Sequence, residues 1–213
     1  MEGKEAMTTK DQILSRLKAN SEALLKSGGN IPDVEMPDFS LINPTEYADP
    51  LVKFRETAKK VSGANVVESE KEGDLNKLIR ELYPEAKIFG SNLTFIEADI
   101  NPDSVPAGKD LMKVDVGVIE GSFGVAENGC IWIPQTMKER ALCFASENLV
   151  ILLHKKDIVN NMHEAYALID KKPEYFEPYK FGTFISGPSK TADIESALVY
   201  GAQAARGVTV ILM

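Results

Sequence analysis

Short runs of branched aliphatic residues alternate with amphipathic stretches along most of the chain, and this alternation confines it to an α/β fold. ANVVE (64–68), AKIFG (86–90), VDVGVI (114–119), CIWIP (130–134), LVILLH (149–154), FGTFIS (181–186) and VTVILM (208–213) read as strands, because such runs fit a pleated, buried surface. Between them, Leu75, Leu78, Ile79 and Leu82, and again Ile158, Met162, Ala165 and Ile169, recur at helical spacing. LTFIEAD (93–99) is expected to add an edge strand, and TADIESALVYG (191–201) a helix with Ile194, Leu198 and Gly201 on one side. The strand, helix, strand order predicts a three-layer α/β/α architecture with a mainly parallel sheet covered on both faces. In such open sheets ligands lie beyond the carboxyl ends of the strands.

The N-terminal part has a different character. Ile13, Leu14, Leu17, Leu24 and Leu25 suggest a helix stopped by Gly28-Gly29. Residues 30–44 carry three prolines and no period, so they read as an extended arm that wraps the body or grips a neighbouring subunit. Tyr47, Leu51, Phe54, Ala58 and Val61 follow helical steps, with Pro50 in the first turn and Ser62-Gly63 at the end. The expected division is an N-terminal helix and arm over 1–45 and an α/β domain over 46–213.

Lys and Arg total 24 against 32 Asp and Glu, a net charge of −8. That field repels phosphate backbones and anionic lipid, so neither nucleic acid nor a membrane is an expected partner. No apolar run approaches the roughly 20 residues of a membrane span, and no secretory leader is apparent. With Cys130 and Cys143 both in apolar sequence, a reducing cytoplasm is the expected compartment. These two cysteines, His154 and His163 lack the close pairing of a structural zinc site, and two cysteines alone cannot hold an iron–sulfur cluster. No metal or cofactor is expected on this chain. Neither a GxGxxG nor a GxxxxGK[ST] loop occurs.

Two segments could carry chemistry. Ser186-Gly-Pro-Ser-Lys-Thr-Ala-Asp-Ile-Glu195 passes from a strand through a turn of small residues. Its free amides, the hydroxyls of Ser186, Ser189 and Thr191, and the Lys190 ammonium could hold a phosphate or carboxylate, with Gly187 allowing close approach. Asp193 and Glu195 would oppose an anion there, and a plain capped helix is the competing reading. The second segment, Glu120-Gly-Ser-Phe-Gly-Val-Ala-Glu-Asn-Gly129, is glycine-rich and carries two carboxylates. Glu120 and Glu127 are candidates for general acid, base or nucleophile if apolar walls raise their pKa. Asn128-Gly129 reads equally as a tight hairpin turn.

VDVGVIEGSFGVAENGCIWIP (114–134), KERALCFASENLVILLHKKDIV (138–159) and FISGPSKTADIESALVYG (184–201) together resemble the LUD domain of the lactate-utilisation protein C family. The Ser186–Glu195 string is similar to the family's most specific motif, Ala126–Gly129 resembles its Ala-Glu-Thr-Gly, and Arg140 resembles an arginine before its next strand. The resemblance implies a fold similar to ribose-phosphate isomerase, CoA-transferase and formyltetrahydrofolate cyclo-ligase. It also implies a cluster-free component of L-lactate oxidation to pyruvate, working with iron–sulfur partners. On that reading the two loops face one another in one pocket. Lys190 and backbone amides receive a carboxylate or phosphate, Ser189 and Thr191 orient it, and Glu127 or Asp193 manages a proton; Ser186, Gly187, Glu195, Gly121, Asn128, Gly129 and Arg140 complete the expected ligand-binding set, and Glu120 is a further catalytic candidate. The chain departs from the family at Asn128, where threonine is usual, and at Gln203, where a histidine stands; glutamine cannot shuttle a proton near neutral pH. An independent transferase, isomerase or cyclo-ligase acting on a phosphorylated or CoA-linked substrate, with Glu120 or Glu127 as nucleophile or base, is the alternative, and a non-catalytic assembly subunit is another; a homo-oligomer is among the expected partners.

Overall fold

A computed structural model describes residues 9–26, 43–69, 75–172, 177–192 and 197–213. The chain divides into two units, Met1–Asn43 and Pro44–Met213. Of the first, the described part is helix α1 (Thr9–Lys26), on which Ile13, Leu14 and Leu17 are exposed. The proline-rich arm lies almost wholly outside the described residues.

The second unit opens with α2 (Pro50–Thr57). Asp49 caps it by accepting the Val52 N–H, and Pro50 sits at the start, where its missing N–H costs nothing. The helix widens into a π-helical turn, Ala58–Ser62, and ends at Gly63, whose φ of +77° is left-handed. Strand β1 (Asn65–Glu68), α3 (Leu75–Leu82) and β2 (Phe89–Gly90) follow. Then come β3 (Val116–Glu120), β4 (Phe123–Val125), β5 (Ile131–Pro134), α4 (Leu142–Ala145), β6 (Asn148–Leu153) and β7 (Ile158–Val159). The chain closes with α5 (Met162–Lys171), β8 (Gly182–Ile185), β9 (Lys190–Thr191), β10 (Val199–Tyr200) and β11 (Gly207–Leu212).

The central sheet, ordered β1-β11-β6-β3-β2, is parallel throughout, with Val118 opposite Val150 and Val150 opposite Thr209. Side chains alternate across it. Leu149, Ile151 and Leu153 pack on the side of Phe54, Ala58, Ile131 and Ile133, whereas Val150 and Leu152 pack on the side of Leu75 and Ile79. Burying each such side chain contributes roughly 1.5–3 kcal/mol. A second, mixed sheet, β7-β4-β5-β8, presents Ile131 and Ile133 to the central sheet and Phe123, Val125 and Trp132 to Ala165 and Ile169 of α5. The α/β expectation and the mainly parallel central sheet are thus found, with a second sheet added between the central sheet and α5.

Three local expectations need correction. LTFIEAD forms turns, and Ile100 alone makes a parallel bridge, to Gly90; the Asp99 carboxylate takes the Phe89 N–H that an edge strand would use. Ile158 belongs to β7, so α5 starts later, capped by Asn161. Lys190–Thr191 pairs antiparallel with Val199–Tyr200, so the expected helix over 191–201 is not formed at either end. Its middle, 193–196, lies outside the described residues.

Candidate functional site

The two segments singled out from the sequence do meet, through a third. The hydroxyls of Ser62 and Ser186 both donate toward the Asn128 carbonyl, at 3.0 and 3.2 Å, and stand 2.8 Å from each other. The two hydroxyl protons serve three short contacts, so the Asn128 carbonyl and the two hydroxyls share them. Each of these residues precedes a left-handed glycine: Gly63 at +77°, Gly129 at +69° and Gly187 at +69°. The glycines are required by contact as well as by φ. A Cβ on Gly129 would come within 2.8 Å of the Ala58 nitrogen, and one on Gly187 would fall 2.1 Å from the Ser62 carbonyl oxygen. Ser62 is buried, so this knot is dry on one side.

The knot lies at the amino ends of the central strands, not the carboxyl ends expected from parallel-sheet precedent. Ser62-Gly63 leads directly into β1, and the Ser189 N–H donates to Ala205, just before β11. The physical reason is the second sheet: β8 brings the 186–190 turn back along that sheet to the starts of β1 and β11.

Lys190 lies with its ammonium over Gly63, where a Cβ would be 2.7 Å from Nζ. That is the carboxyl end of the α2 helix, whose exposed carbonyls favour a cation. The ammonium makes no hydrogen bond or ion pair among the described residues. Ser189 organises the next loop. Its carbonyl accepts the Gly201 N–H, and its hydroxyl accepts the Gln203 N–H at 3.4 Å.

A cavity of about 1290 Å³ opens beside this turn, lined among others by Glu139, Arg140, Phe144, Tyr200, Gln203 and Arg206. The Arg140 guanidinium lies 4.2 Å from the Phe181 ring centre and has no ion-pair partner among the described residues. Ring stacking holds one face of the guanidinium and leaves its edge N–H donors for an anion. Arg206 is 3.6 Å from Glu147, with both side chains mostly in solvent. A smaller cavity of about 260 Å³ lies under the turn, bounded by Cys143, Phe144, Ser186, Gly187, Ser189 and Ala205.

Other sequence candidates sit elsewhere. Glu127 accepts the Met162 N–H at 3.0 Å, which puts its carboxylate at the start of α5, where the helix dipole favours it. Glu120 is at the carboxyl edge, 3.7 Å from His154. Gly121 is buried, and a Cβ there would strike Ile131 at 2.4 Å; it spaces the two sheets. Asn128 also accepts the Cys130 N–H through Oδ1, the turn chemistry expected of Asn-Gly. Thr191 is in β9. Asp193 and Glu195 lie outside the described residues. Burial pushes the Cys130 and Cys143 thiols up to about 12, so neither is a nucleophile at neutral pH. Among the described residues no three His, Cys, Asp or Glu side chains are grouped to hold a metal, and no helix is long and apolar enough to cross a membrane. Ser62 was read from sequence only as a helix end; its signal was the Ser-Gly pair itself.

A parallel central sheet, with glycine-hinged turns and an arginine-lined cavity gathered at the amino ends of its strands, defines an α/β domain. Residues 103–213 match the family model for the LUD domain, and the chain belongs to that family. It is 25% identical to Lactate utilization protein C of Oceanobacillus iheyensis over 98% of this chain and 99% of that protein. Its fold is similar to the crystal structure of a DUF162 family protein from Deinococcus radiodurans, with a TM-score of 0.59 at 15% identity, covering 79% of this chain and 99% of that one.

Proposed function

We propose that this protein serves lactate utilisation in the cytoplasm, as the cluster-free component of a system that oxidises L-lactate to pyruvate with iron–sulfur partners. The observation that carries the reading is the end-to-end match to Lactate utilization protein C. The site geometry is compatible with a small carboxylate. The 260 Å³ cavity, at about 30 Å³ per water, has room for a small ligand. Arg140 lines the larger cavity and Lys190 follows Ser189 of the smaller one; both are cations with no carboxylate partner among the described residues, and each can neutralise an anion.

On this reading the Ser186–Lys190 turn binds and orients the anion, while the Asn128 turn fixes the shape of that turn rather than touching the ligand. Gln203 can hydrogen-bond a hydroxyl or carboxylate but moves no proton, so a general base comes from another group or a partner. The test is growth of the source organism on L-lactate after deletion of the gene, complemented by wild type, Lys190→Ala or Arg140→Ala, with tagged protein recovered from lactate-grown cells. Restored growth with wild type alone, and co-purification of iron-containing proteins, is expected. Unimpaired growth of the deletion strain refutes the role; full complementation by both variants refutes the site.

A further inference from the structure

The Ser62-Gly63 pair lies outside the residues matched to the LUD domain, and touches both segments of the site. Its hydroxyl meets the Asn128 carbonyl and the Ser186 hydroxyl, its carbonyl fills the space a side chain would need at Gly187, and Gly63 leaves the space in which the Lys190 ammonium rests. We propose that Ser62 and Gly63 are positioning residues: they clamp the Ser186–Lys190 turn and seat the Lys190 ammonium at the end of the α2 helix, which sets where an anion can bind. This rests on the anion-binding reading above.

Three observations carry it. The contacts come from segments far apart in sequence, so they are tertiary and not local turn chemistry. The atoms meeting a Cβ at Gly63 are only Nζ and Cε of Lys190, at 2.7 and 3.2 Å; a side chain there would move the ammonium and little else. Moreover, the seat holds no carboxylate, so the lysine charge is not already neutralised by an ion pair among the described residues.

The experiment uses the full-length protein. Gly63→Asn adds a Cβ while keeping a residue that tolerates the left-handed conformation, and Ser62→Ala removes the shared hydroxyl. Lysine labelled with ¹³C at Cε and ¹⁵N at Nζ gives a spectrum in which Lys190 is the resonance lost in Lys190→Arg. Calorimetric titration with L-lactate, oxalate and inorganic phosphate gives affinity, and Lys77→Ala, on the exposed face of α3, is the control. We expect the Lys190 resonance to move into the exposed-lysine envelope in Gly63→Asn and to shift in Ser62→Ala. We also expect anion affinity to fall at least fivefold in both, with thermal midpoints showing a folded protein. A Lys190 resonance unchanged by Gly63→Asn overturns the seat. A moved resonance with unchanged affinity overturns its positioning role. Absence of binding by wild type counts against the anion reading instead, and the lysine spectrum still decides the seat.

Discussion

Replacing Gly187 with alanine tests whether the turn at 186–190 is held by the body of the protein. At φ +69° a Cβ-bearing residue costs about 1–2 kcal/mol. The added carbon would also lie 2.1 Å from the Ser62 oxygen and 2.7 Å from its carbonyl carbon. Those are backbone atoms at the close of a π-helical turn, so relief requires the main chain to move, a cost of about 1–3 kcal/mol by analogy with overpacked cores. The sum is about 2–5 kcal/mol, a large share of a typical total of about 5–15 kcal/mol. For a chain of this size each kcal/mol lowers the midpoint by about 2–4 °C, so a drop of about 4–20 °C is expected. Urea unfolding of Gly187→Ala beside Gly63→Ala checks the reasoning, because both carry the φ cost and only the first meets backbone. Equal losses in the two variants, or less than about 1 kcal/mol for Gly187→Ala, would refute the claim that the turn is clamped by Ser62.

Other outcomes are expected from the same structure. Ile151→Ala, fully buried between the two sheets, should cost about 2–5 kcal/mol by calorimetry, and a smaller loss would mean the sheets close over the cavity. Native protein at pH 8 should leave Cys130 and Cys143 unmodified by a thiol reagent and release both on unfolding, since burial holds each near 12; fast modification of either in the folded state would contradict the packing. Asp115 accepts the N–H groups of Ile88 and Lys87, which lowers its carboxyl below the usual 3.8. Its contribution is therefore present above pH 3.8 and lost as pH falls through the folded value, so Asp115→Asn should flatten the acid limb of a stability–pH curve. An acid limb identical to wild type would show that these hydrogen bonds do not form.

Much of this architecture is legible in the sequence because periodicity tracks burial. In LVILL the residues alternate between the two faces of the central sheet, and the parallel order follows from helices lying between strands. What escaped was set by contacts that no local pattern encodes. Phe123–Val125 is three residues long with a glycine at its centre, and that glycine is there because Phe54, Ile158 and Leu153 converge on it; read locally it is a loop. Ile194, Leu198 and Gly201 have helical spacing, yet Ser189 takes the Gly201 N–H and donates to Ala205, which pins 199–200 against 190–191. Tertiary hydrogen bonds overrode a weak propensity there.

The second sheet, which no periodicity in the sequence announces, also explains why the two turns lie at the amino edge of the central sheet and not at the expected carboxyl edge. A doubly wound sheet places its loops beyond the carboxyl ends because each strand hands over directly to a helix. Here β3 instead crosses through Glu120-Gly121 into β4, and position 121 takes glycine because a Cβ there would meet Ile131 at 2.4 Å and Ile151 at 3.3 Å. That crossing carries the Asn128 turn back along the second sheet toward the start of β1, and β8, antiparallel to β5, delivers Ser186 to the same place. The carboxyl edge carries Glu68 paired with Arg55 and Lys155, and Glu120 lies 3.7 Å from His154. At the amino edge Arg140 lines the larger cavity and Lys190 follows Ser189, which bounds the smaller one; neither has an ion-pair partner among the described residues. On the anion-binding reading proposed above, the placement of the turns and cavities, rather than strand direction, selects the edge that receives the ligand.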